Sequence, residues 1–210
     1  MYIPNFNRED DTEKLVSFMQ NYNFATLVSI SDGVPIASHI PVVAKLSGET
    51  VTLSGHLARA NPHCEVLETG EMLAIFTGPH AYISPKNYER LESVPTWNYV
   101  AVHAYGTPKT MTFKEKPDEM QALVADLVEA HEASYKEQWD SLSEKFRHGM
   151  MQGIVGFEMT VTRLEGKYKL SQNRPEQDQK EVAQALQNNV NPTVSEVGKL
   201  MMEKLKRHDG

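Results

Sequence analysis

Apolar residues recur at helical spacing in residues 10–22, as Leu15, Phe18, Met19 and Tyr22, and Asp10 with Glu13 stand like a capping pair. This spacing predicts an amphipathic helix. Three strand-like runs follow: "NFATLVSI", then "VPIASHIPVVAKL" after the turn "SDG", then "TVTLSGH" after "SGE". With no helical crossover between them they read as an antiparallel meander. "NPHCEVLET" predicts a short helix, with Asn61 as N-cap and Pro62 at its first position, ending near Gly70.

The pattern then returns to strand in "EMLAIFTG" and in "VPTWNYVAVHAYGTP", where Trp97, Tyr99, Ala101, His103 and Tyr105 share one face. "PDEMQALVADLVEAH" carries a helical stripe of Met120, Leu123, Val124, Leu127, Val128 and His131. "IVGFEMTVTRLEGKYKL" alternates Val155, Phe157, Met159 and Val161 with polar residues and reads as a sixth strand, and helices over 176–187 and 193–207 close the chain. Six to seven mostly antiparallel strands with peripheral helices predict a mainly β fold. A small barrel suits it, because closure removes exposed strand edges.

Composition adds limits. Hydrophobic residues make up 40% and charged residues 23% of the 210, as in a globular protein rather than a disordered one. The formal net charge of -7 repels nucleic acid, so direct DNA binding is doubtful. In the tail, Lys199, Lys204, Lys206 and Arg207 are diluted by Glu203 and Asp209, and the helix pair around "NNVNPTVSE" offers a mixed face instead of a groove-reading one. No apolar run reaches the roughly 18 residues of a membrane span, and "MYIPNFNREDD" lacks the pattern of a signal peptide. The reading is cytoplasmic, with no membrane. The single cysteine, Cys64, suits a reducing compartment and excludes a cysteine-rich zinc site.

Phosphate-loop, Rossmann, HExxH and GxSxG motifs are all absent, and no catalytic residue is identifiable. "SGHLARANP" combines Gly55, a guanidinium at Arg59 and a helix start at Asn61, which together suit a phosphate. A glycine bend, a surface arginine and an ordinary cap have the same spacing. His39, His56, His80 and His103 lie at or near strands but show no i, i+4 ligand pair, so no metal site is predicted. Tyr82, Trp97, Tyr99 and Tyr105 could wall a flat ligand, fill the core or form an interface. "EGKYKLSQNRP" crowds Lys169, Ser171, Gln172 and Asn173 after an apolar strand, where amides could meet the polar edge of a ring system.

Taken together, "MYIP", "PIASHIP", "GHLARANP", "GPHAYISP", "VPTWNYVAVHAYG" and "KLSQNR", collinear from Met1 to Arg174, resemble the PaiB-like family of FMN-binding negative transcriptional regulators. The resemblance implies a split β-barrel of the pyridoxamine-oxidase-like type over residues 1–174, with a helical insertion near 117–148 and C-terminal helices over 175–210 packed on the barrel. It implies a homodimer with FMN in a groove at the interface. Ser38 and His39 would lie along the flavin, Ser54, Gly55 and His56 beside it, and Arg59 with Asn61 at its phosphate. Lys169, Ser171, Gln172 and Asn173 would come from the barrel end near the cofactor, and Trp97 and Asn98 from the partner subunit. Regulation would be indirect or through the flavin's redox state. A flavin oxidoreductase using NAD(P)H and a haem-binding split barrel are the rival readings.

Overall fold

The computed structural model describes residues 1–206; Arg207 and Asp209 of the predicted last helix and tail lie outside the described residues. In chain order the elements are β1 (Arg8–Glu9), α1 (Thr12–Asn21), β2 (Phe24–Ser31), β3 (Val34–Pro41), β4 (Val43–Ser47), β5 (Thr50–Ala58), a 3-10 helix (Pro62–Val66), β6 (Met72–Ile83), β7 (Thr96–Gly106), β8 (Lys109–Met111), α2 (Pro117–Glu132), α3 (Lys136–Ser141), α4 (Glu144–Gln152), β9 (Ile154–Thr160), β10 (Arg163–Lys169), α5 (Glu176–Gln187) and α6 (Pro192–Lys206). The chain divides into two compact units.

One unit comprises Thr12–Phe76 and His103–Leu164. Its first hairpin pairs β2 with β3 from Phe24↔Pro41 to Ser31↔Val34. Asp32 and Gly33 make the turn with φ of 50° and 81°, the mirror-image geometry that matches strand twist. Pro41 has no N–H to continue the ladder, and the chain changes sheets immediately after it. Val42 is fully buried at the change, and its N–H donates to the Asn23 carbonyl at 2.9 Å. The run "VPIASHIPVVAKL" is therefore two strands in two sheets, and two linked hairpins replace the predicted meander.

The second sheet has the order β4-β5-β9-β8. Its registers place Leu53, Gly55 and Leu57 on one face with Met159, Phe157 and Val155. Those apolar partners are buried because the strand period turns every second residue inward. The other face carries Val43, Ser54, His56, Gly156 and Met111. Against Val43 and Met111 pack Met120, Leu123 and Leu127 of α2 together with Met151 of α4. Gly156 admits the helix: a Cβ there would stand 2.5 Å from Leu123 Cδ2.

The other unit comprises Met1–Asp11, Thr77–Val102 and the chain from Glu165 onward. Its strands run in the order β1-β10-β7-β6, with Arg8 opposite Lys167. The predicted sixth strand is in fact β9 and β10, separated at Val161 and Thr162, whose N–H groups donate to the Val51 and Tyr105 carbonyls. That split, the split at Val42 and the short β1 and β8 raise the strand number above the expected six or seven. Helices α5 and α6 bury Val182, Ala183 and Leu186 and Val197, Met201 and Leu205. They meet at Gly198, where a Cβ would lie 2.7 Å from both the Ala183 carbonyl oxygen and the Gln187 nitrogen. No helix among the described residues is long and apolar enough to cross a membrane.

Candidate cofactor site

The sequence candidates fall into separate local groups, beginning with β3. Strand alternation buries Ser38 and exposes His39. His39 Nδ1 lies 2.9 Å from Thr26 Oγ1, its cross-strand neighbour. Ser38 Oγ accepts from Asn61 Nδ2 at 3.0 Å and lies 3.0 Å from His63 Nδ1. Asn61 also caps the 3-10 helix, its Oδ1 accepting from the His63 N–H at 3.0 Å. Its amide is thus committed at both ends, and the helix it opens is only five residues long. The motif reading passes over His63, whose signal was its place two residues beyond the cap. Ser38 and His63 stand at nucleophile-to-base distance, but both are buried and Asn61 already occupies the hydroxyl, so the pair organises the loop.

On β5, Ser54 and His56 share the face on which α2 packs. Ser54 borders a cavity of about 240 Å³ together with Lys109, Lys116, Glu119, Asp126 and Glu158. Gly55 points the other way. A Cβ on it would stand 3.1 Å from the Phe157 ring and 3.2 Å from the Pro41 carbonyl, so its small size serves close packing. His56 Nδ1 is buried with no hydrogen-bond partner among the described residues.

Arg59 follows the end of β5 at the surface. Its Nε donates to the Gln152 carbonyl at 2.7 Å and its Nη2 to the Ile154 carbonyl at 3.3 Å, while its backbone N–H donates to the Gly153 carbonyl at 2.9 Å. Among the described residues no carboxylate pairs with it. The guanidinium is oriented by neutral acceptors and keeps its full charge and further donors for an outside anion.

Burial pushes both His56 and His63 below the ordinary imidazole pKa. Each takes up its proton less readily folded than unfolded, so the unfolded chain binds more protons below about pH 6.5. Stability should be at its full value above that pH and fall as pH drops through it. Thermal melts between pH 7.5 and 5.5 test this, with the His63→Gln variant showing a shallower decline.

In the other unit, Asn98 is fully buried; its Nδ2 donates to Ser171 Oγ at 2.9 Å and its Oδ1 lies 3.3 Å from the same hydroxyl. Ser171 has φ of 66°, in the left-handed region that non-glycine residues adopt at a cost of about 1 kcal/mol or more. Gln172 closes the turn, its Oε1 accepting from the Leu170 N–H at 2.7 Å and its Nε2 donating to the Tyr168 carbonyl. Only Asn173 of this stretch is exposed. Asn98→Ala should cost about 1–3 kcal/mol, by stranding the buried Ser171 hydroxyl in a strained turn. Urea unfolding measures it, and an unchanged midpoint would mean the turn holds itself.

Lys169 Nζ donates to Thr96 Oγ1 at 2.5 Å and to the Trp97 carbonyl at 2.6 Å. Burial, and secondarily the Lys167 charge, hold its pKa below the usual lysine value. Lys167 donates to the Tyr2 carbonyl at 3.0 Å and stands 5.1 Å from the Tyr99 ring centre. Trp97 is exposed, with Tyr82 edge-on at 6.0 Å and His80 at 6.2 Å between ring centres.

Comparison with known proteins gives this geometry its setting. The family described as "Putative FMN-binding domain" matches residues 1–163. Protease synthase and sporulation protein PAI 2 of Bacillus subtilis (strain 168) is 39% identical over 208 residues, 99% of each chain. Among solved structures, the FAD and heme binding protein from Mycobacterium smegmatis superposes with a TM-score of 0.58 at 15% identity, over 78% of this chain and 73% of that one. The flavocytochrome Anf3 from Azotobacter vinelandii gives 0.59 at 13%, over 84% and 77%. These two likenesses bear on fold, and they agree with a mainly β split barrel with peripheral helices. Matched over most of its length, and aligned end to end with so similar a relative, the chain belongs to the FMN-binding family of PaiB-like proteins that its motifs resemble.

Proposed function

We propose that this chain binds FMN as a homodimer and works as a negative regulator of transcription that senses redox state without itself gripping DNA. The observation that carries the cofactor reading is Arg59, a surface guanidinium aimed by two backbone carbonyls and left without a carboxylate among the described residues. That is an anion receptor of the kind a flavin phosphate needs. His56, with an unpartnered buried ring nitrogen two residues along from Ser54 on β5, is a donor or acceptor in want of a partner and is assigned to the flavin side. Bound FMN would supply a reversible redox couple, while the chain's own residues hold and orient it. Asn61, Ser38 and Asn98 act as positioning residues, since their side chains are spent on protein contacts. Exposed Trp97 is assigned to the groove of a second copy.

Support for a dimer comes from the β2–β3 hairpin, which leaves Phe24, Ile30 and Val34 between 55% and 65% exposed. Ile30→Asp should weaken self-association by about thirtyfold or more, read by sedimentation, if this hairpin lies at the centre of the contact. The net charge of -7 favours indirect regulation in the cytoplasm over promoter binding. The decisive test is the absorption spectrum of protein purified without added cofactor, then titrated with FMN and with NADH or NADPH. Flavin bands that persist support a sensor; bands that bleach would make the chain an oxidoreductase. A Soret band, or failure to take up FMN, would overturn the cofactor reading.

A further inference from the structure

The helices between β8 and β9 form an open pocket of about 290 Å³ that the cofactor reading does not use. Its walls are of two kinds. On α2, Ala122 and Ala125 supply small side chains that leave room, Trp139 of α3 offers an indole, and Met151 of α4 borders the same space. The remaining wall is polar, and its charges do not balance. Lys136 Nζ lies 2.5 Å from Asp140 Oδ2, so that carboxylate is already engaged, and Arg147 Nη1 reaches its other oxygen only at 3.9 Å. Arg147 Nε is buried and has no acceptor among the described residues. One carboxylate facing a lysine and a guanidinium leaves the polar wall with an excess of cationic groups beside the apolar one. His148, tilted at 39° against the Phe113 ring with ring centres 4.7 Å apart, borders the adjoining edge.

We propose that this cavity binds a small aromatic carboxylic acid, with the carboxylate on Arg147 and the ring between Trp139 and the alanine wall of α2. The class follows from size and charge. A volume at the lower end for ligand pockets takes one or two fused rings but not a nucleotide. A single carboxylate matches the charge of the guanidinium and its outer N–H groups, whereas a dianion would repel Asp140. Met151 borders the cavity and also belongs to the buried cluster with Met120 and Leu123, so a bound acid stabilises the packing of α2 on its sheet.

The test is calorimetric titration of the FMN-loaded full chain with indole-3-acetate and, as a neutral match, indole-3-acetamide. The acid should bind at least about tenfold tighter than the amide and raise the melting temperature. Arg147→Gln should remove that preference, Arg147→Lys should keep part of it, and Ala125→Trp, which fills the cavity from the opposite wall, should abolish binding. If Arg147→Gln fails to fold, Ala125→Trp decides alone. No binding of the acid, equal binding of acid and amide, or binding that survives Ala125→Trp while shifting the flavin absorption would overturn the proposal; the last would place the acid over the flavin.

Discussion

Arg59→Ala is expected to weaken FMN binding by about tenfold to a hundredfold while leaving the melting temperature nearly unchanged. A hydrogen bond to a charged group contributes about 1.5–3 kcal/mol, and the loss lies in that range because one side chain supplies both the charge and the donors. The fold should tolerate the change, since Arg59 is exposed and the carbonyls of Gln152 and Ile154 that it releases can turn to water. Arg59→Lys separates charge from shape. It keeps the cation but loses the fork that two carbonyls hold in place, so it should recover only part of the affinity. Fluorescence quenching of FMN during titration measures all three proteins. Equal affinity in all of them would put the phosphate elsewhere, and Lys109 or Lys116 beside Ser54 would be the next cations to substitute.

Gly198→Ala should destabilise the protein although alanine is the better helix former. Its Cβ would enter a space 2.7 Å from the Ala183 carbonyl and the Gln187 nitrogen, and backbone atoms cannot swing aside as a side-chain tip can. Alanine's helical advantage is about 1 kcal/mol, and overpacking a close contact costs about 1–3 kcal/mol and sometimes more. The net is a loss, and α5 and α6 must separate along Val182, Leu186, Val197 and Met201 to accept the methyl group. The expected signature is a melting temperature lower by several degrees, with amide exchange accelerated in α5 and α6. A higher melting temperature would show that the helices stand farther apart.

The residues that made the fold legible are those whose periodicity is local. Leu15, Phe18 and Met19 on α1 and Met120, Leu123 and Leu127 on α2 are buried as their spacing predicts. Where a run changes partner, periodicity is silent. Nothing in the alternation of "VPIASHIPVVAKL" marks Val42 as the point of crossing, because a buried valine suits either sheet; only Pro41, lacking a donor, hints at it. The candidate site residues were legible as motifs, while the contacts they make within the chain were not. Asn61 and Ser171 look like ligand-binding groups in sequence, yet their polar atoms go to Ser38, His63 and Asn98. A motif records that a polar residue is needed, and only geometry tells whether the need is a ligand's or the backbone's. Arg59 differs, since its spacing was ambiguous in sequence while the geometry leaves it without an acidic partner among the described residues.

The single residue between β3 and β4 carries a consequence for engineering. Because Val42 alone joins two hairpins in different sheets, their registers are locked together, and adding or removing one residue between 34 and 47 would turn an entire strand inside out. Epitope tags, fluorophores or inserted domains therefore belong at the two tight turns that absorb length at the outside, Asp32–Gly33 and Gly48–Glu49, where the chain is exposed and already in turn conformation. The same logic gives a rule for aligning distant relatives of this chain: length differences should collect at those tips and be rare at Val42.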